Sequence, residues 1–80
     1  MRSKDSLADR IKAAGMFDKI FTADGSKFRN HGRNALEDWL KSEFSLSDDA
    51  IKSITEGSGK QVLQAFTEMK DNVRAALRSE

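Results

Sequence analysis

The chain predicts an all-α fold: a small bundle of four helices, five if Gly15 divides the first, packed orthogonally or antiparallel. Three observations carry this. Apolar residues recur at three- and four-residue spacings in four separate stretches. β-Branched residues are few and nowhere alternate strictly with polar ones, so no strand competes. Finally, 80 residues suffice for one domain and not for two, so positions 1–80 read as a single helical domain.

The first helix opens at Ser6, which forms a capping-box pattern with Asp9 in the place usually held by Glu. Leu7, Ile11, Ala14, Phe17 and Phe21 then fall on one face at 100° per residue. This predicts a helix over residues 7–21, kinked or divided at Gly15; a short separate helix over residues 16–21 is the competing reading. Met16 and Ile20 lie off the stripe and widen its apolar face. Residues 1–5, ahead of the cap, read as frayed.

Residues 22–33 contain Asp24-Gly25 and His31-Gly32, pairs suited to turns, and lack helical periodicity. They form the longest irregular stretch. Asn34 is the expected cap of a second helix ending near Phe44, with Glu37 and Asp38 early and Leu36, Trp39, Leu40 and Phe44 as its stripe. Ser47 is the clearest cap in the chain: Asp48 and Asp49 follow it, and Leu46 is placed to close over Ile51 as a hydrophobic staple. The third helix starts there, buries Ile51 and Ile54, and stops at Gly57-Ser58-Gly59. A last helix is expected over residues 60–77, with Val62, Phe66, Met69, Val73 and Leu77 as its stripe.

Composition excludes whole classes of chemistry. Without cysteine there are no disulfides, thiolate catalysis or iron–sulfur ligands. His31 is the sole histidine, so a two-histidine metal site is excluded, and no G-x-S-x-G turn supplies a nucleophile for a catalytic triad. Asp24-Gly25-Ser26 lacks the alternating oxygen ligands and terminal Glu of a calcium loop. Gly57-Ser58-Gly59-Lys60 lacks the preceding strand, the early glycine and the Ser or Thr after the lysine that a nucleotide-binding loop requires. The expectation is no catalytic residue, no metal, no cofactor and no small-molecule substrate. No apolar run is long enough to span a membrane and no signal peptide is recognisable, which reads as a cytoplasmic, intracellular protein with no membrane partner.

The formal charge is +1, yet its distribution is uneven. Residues 1–34 carry eight basic and four acidic side chains, residues 35–59 two and six, and residues 60–80 four and three. The sharpest local feature is Lys27-Phe28-Arg29-Asn30-His31-Gly32-Arg33: three cations, an aromatic ring and amide donors. That mixture suits a partner-binding loop, with Phe28 available to stack on a base or fill a pocket. A second feature is the turn of Gly57, Gly59 and Lys60, where backbone N–H groups at a helix start would suit a phosphate.

Two functional readings follow. The first is a non-enzymatic protein-interaction module, a regulator or assembly subunit that recognises another protein or its own copy; it rests on the modest core, the segregated charge and the wide apolar face at Met16 and Ile20. The second is a nucleic-acid binder that contacts phosphates through Lys27, Arg29 and Arg33, with Gly57, Gly59 and Lys60 adding a second anchor. Where the 22–33 segment lies, and whether its cations meet Lys60, separates them.

Overall fold

A computed structural model describes residues 6–78, and the expectation of fraying over residues 1–5 lies outside that range. The described chain is all-α. Six helices succeed one another: α1 (Leu7–Ala13), α2 (Phe17–Ile20), α3 (Gly32–Phe44), α4 (Asp48–Thr55), α5 (Gly59–Glu68) and α6 (Asp71–Arg78). They occupy 28 × 28 × 20 Å.

Both extra helices come from breaks within stretches whose apolar spacing runs on unbroken. The first stretch divides at Gly15, which takes φ +73° and separates α1 from the single turn of α2. The second break falls at Met69 and corrects the expectation of one helix over residues 60–77. Met69 adopts the left-handed conformation, φ 52°, and the Lys70 N–H donates to the Ala65 carbonyl at 3.1 Å, the six-to-one bond of a Schellman ending. No glycine marks the site. Its Sδ accepts the Leu7 N–H at 3.3 Å, so the residue that ends α5 also receives the start of α1. The break frees the two halves to pack separately: α5 lies against α1, and α6 against α4.

The caps explain the other boundaries. Ser6 and Asp9 make the reciprocal capping box, at 3.1 and 3.2 Å, and Ser47 Oγ accepts the Ala50 N–H. At α3 the expected cap is corrected. His31, in the left-handed region at φ 65°, precedes a helix that begins at Gly32, and Asn34 sits exposed inside the first turn. A Cβ on Gly32 would collide with the Ile20 carbonyl oxygen, so the α3 N-terminus is seated directly on the backbone at the end of α2.

The core holds Leu7, Ile11, Ile20, Phe21, Leu36, Leu40, Leu46, Ile51, Ile54, Val62, Phe66 and Val73, drawn from every helix and from two of the connections. Ile20 is fully buried. It therefore fills the interior and does not widen an external apolar face, while Met16 remains half-buried.

A basic corner as the candidate functional site

The 22–33 connector folds back on itself as a hairpin-like loop closed by one isolated bridge. Phe21 and Phe28 form an antiparallel bridge, with Thr22 N–H bonded to Lys27 O at 3.0 Å and Arg29 N–H to Ile20 O at 2.9 Å. Phe28 is half-buried at the bridge, while its neighbours Lys27 and Arg29 are exposed. The Phe28 ring stacks on Phe21 with centroids 5.4 Å apart and planes 16° from parallel, and the Arg33 guanidinium lies over it at 4.6 Å. The ring is half-buried and engaged from within by both groups.

Two glycines seat this hairpin. Gly32 holds its base against the α3 start, as above. On the other side Gly59, in the first turn of α5, lies so close to the Lys27–Phe28 backbone that a Cβ there would stand 2.9 Å from Lys27 Cα and closer still to Phe28 N. The hairpin tip lies farther along the same helix, where Gly25 is buried beneath Leu63. Two sequence features 32 positions apart, Lys27 and Gly59, are thus in backbone contact.

Arg33 ties the third side. Its guanidinium donates to the carbonyl oxygens of Thr55 and, at 2.6 Å, Gly57. Thr55 ends α4, where unpaired carbonyls and the negative end of the helix dipole favour a cation. Arg33 is therefore a clamp on the α4–α5 turn, with two of its five N–H donors on the protein's own backbone. The same turn carries a signature the sequence analysis passed over, Ser-x-x-Gln at Ser58–Gln61. Ser58 Oγ accepts the Gln61 N–H at 3.2 Å and Gln61 Oε1 accepts the Ser58 N–H at 3.0 Å. The capping box satisfies the Ser58 and Gln61 N–H groups at the α5 N-terminus, Gly59 is buried, and Gly57 offers its carbonyl to Arg33. The side chain of Lys60 is exposed beside this turn.

The outcome is a corner carrying Lys27, Arg29 and Lys60, all exposed, with Asn30 and His31 exposed beside them. Among the described residues none of the three cations has a carboxylate within ion-pair distance; the ion pairs are Lys41–Asp48, Lys70–Glu68 and Arg74–Asp71. The acidic residues Glu37, Asp38 and Asp48 instead line a groove between α3 and α4, together with Lys41 and Lys52.

One carboxylate stands on the hairpin itself. Asp24 Oδ1 accepts the Ser26 N–H at 3.0 Å and the Ser26 and Thr22 hydroxyls at 2.8 Å each. These bonds, the Ser26 N–H foremost, hold its pKa down to about 2 from the ordinary 3.8. The folded group titrates below the unfolded one, so its contribution to stability is complete above about pH 4 and is lost as the pH falls toward 2. Asp24→Asn keeps the acceptor and removes the titration. Its melting temperature, followed by circular dichroism, is expected to drop less than that of the wild type between pH 4 and pH 2; parallel curves would show that Asp24 does not pin the hairpin.

No helix among the described residues is long and apolar enough to cross a membrane. Compared with known proteins, the chain matches no family model, no curated protein and no solved structure.

Proposed function

We propose that the protein is a small non-enzymatic binding module whose basic corner engages the phosphate backbone of nucleic acid through Lys27, Arg29 and Lys60. The observation that supports this reading is the meeting of two basic segments, distant in sequence, on one backbone-locked surface that leaves their cations unpaired. Unpaired cations at fixed spacing gain affinity from the counterions that the nucleic acid releases, and lose little side-chain order to internal ion pairs. Asn30 and His31 extend the surface with neutral donors.

The test is a triple variant, Lys27→Ala with Arg29→Ala and Lys60→Ala. All three side chains are exposed, so the helical spectrum and melting temperature should change little. Affinity for DNA at 0.1 M salt should fall on the order of a hundredfold or more, because each lost contact removes one counterion-release term of about 0.9 in the salt slope. Unchanged binding in the folded variant would dispose of the corner as the contact surface.

A second reading, a module that binds another protein or a second copy of itself, is favoured by a shallow, mainly apolar groove lined by Met69, Arg74, Leu77 and Arg78. The two readings separate in the same variant, since the groove shares no residue with the corner. Self-association that persists in sedimentation after the three cations are removed belongs to the groove.

A further inference from the structure

We infer that His31 is a proton-linked phosphate contact of the basic corner: its imidazole becomes a fourth cation beside Lys27, Arg29 and Lys60, so that nucleic acid is held more tightly as the pH falls below 7. This rests on the nucleic-acid reading above and adds its regulation.

The backbone at His31 is fixed from both sides. The Gly32 N–H donates to the Arg29 carbonyl at 2.7 Å, closing a tight turn over residues 29–32, and the His31 carbonyl accepts the Ala35 N–H at 3.0 Å as α3 begins. Gly32 itself is seated on the Ile20 backbone. His31 takes φ 65°, in the left-handed region that histidine and asparagine enter more readily than most residues. Its side chain is exposed, and among the described residues the imidazole has no hydrogen-bond, ion-pair or ring partner. It is committed to nothing inside the protein.

Histidine is the side chain whose charge ordinarily changes between pH 5 and 8. Nearby cations oppose its charged form, and an anion favours it. The elements packed around the turn carry both signs. Arg29 precedes His31 by two residues, Lys27 and Lys60 share the exposed corner, and Lys19 lies on α2. Arg33, two residues on, gives its guanidinium to the Thr55 and Gly57 carbonyls. The carboxylates are Asp18 on α2, Asp24 on the loop, Glu37 on α3 and Glu56 after α4, and none of them pairs with the imidazole. The protonated ring has no internal anion to satisfy it, and a phosphodiester supplies one. Binding then takes up a proton. By reciprocity the ligand is held more tightly where the ring is protonated, and the gain is lost as the pH rises through the histidine range.

Fluorescence anisotropy on the full chain tests this, with a labelled DNA duplex that lacks terminal phosphates, so that no phosphate of the probe titrates in the range used. At 0.1 M salt the wild type is expected to bind about fivefold tighter at pH 5.5 than at pH 7.5, a large part of the tenfold supplied when one titration moves by a single pH unit. The salt slope should steepen at the lower pH by about 0.9, as one added phosphate contact requires. His31→Asn keeps the left-handed backbone and a donor but takes up no proton, and should lose both effects. His31 is the chain's only histidine, so its ring signal in the NMR spectrum reads the same proton in the wild type, and its titration midpoint should rise when duplex is added. A midpoint that duplex leaves unmoved, or a pH dependence that survives intact in folded His31→Asn, overturns the inference and leaves Lys27, Arg29 and Lys60 in their role. No binding of the duplex at either pH in 50 mM salt removes the inference together with the reading on which it rests.

Discussion

Replacing Arg33 with alanine is expected to destabilise the protein by about 2–4 kcal/mol, the combined scale of two charge-assisted hydrogen bonds to backbone carbonyls and a cation–π contact. The Thr55 residue that receives one of those bonds is buried, so its carbonyl would be left without its charged partner at the end of α4. Arg33→Lys should recover less than half of the loss. An ammonium is a point donor, and it cannot span the Thr55 and Gly57 oxygens or lie flat over Phe28 as a guanidinium does. Urea unfolding measures both variants, and a change below about 0.5 kcal/mol for alanine, the range of an ordinary surface site, would show that the clamp is ornamental. The same variant separates positioning from contact. A phosphate ligand's loss flattens the salt dependence of DNA binding by about one contact, whereas loss of a clamp weakens binding with the slope unchanged.

Gly59→Ala is the second large effect, and its sign is the informative part. Glycine-to-alanine changes within a helix ordinarily stabilise by roughly 0.5–1 kcal/mol, because the alanine chain has less freedom to lose. At Gly59 the new methyl meets the Lys27 and Phe28 backbone, which cannot rotate aside as a side chain can. The expected result is destabilisation of about 2–3 kcal/mol, the scale of overpacking in a filled site, together with amide shifts in the NMR spectrum concentrated at residues 21–29. A neutral or stabilising alanine would mean that hairpin and helix are not in contact, and the convergence of Lys27 with Lys60 would go with it.

What could be read in advance, and what could not, divides by range. Local chemistry was readable: Ser6 with Asp9, and Ser47 ahead of Asp48 and Asp49, start helices where they stand because each satisfies N–H groups within its own turn. The Ser58–Gln61 box was equally readable, since each of its two bonds lies within one turn of the helix start. The break at Met69 was not readable. A left-handed methionine is disfavoured locally, at roughly 1–2 kcal/mol, and its compensation lies in contacts more than sixty residues away at Leu7. The candidate site divides in the same way. Its cations were visible as a cluster, since that needs only composition. Which of them are free was not, because Arg33 and Phe28 are claimed by carbonyls and rings that only the tertiary fold brings near. Gly32 and Gly59 look like punctuation in the sequence; in the fold each is the one residue small enough for a backbone crossing.

The reliance of both α1 and the hairpin on α5 bears on how the chain acquires its shape. While α2 packs on the neighbouring α3, α1 and the hairpin tip rest on a helix that is not complete until Glu68, so these parts lack their final surface until late in synthesis. Such late, distant pairing slows folding relative to bundles of sequential hairpins, and it leaves no half of the molecule able to stand alone. A nick or truncation anywhere between α4 and α6 is expected to release the whole architecture at once and not to trim one end of it.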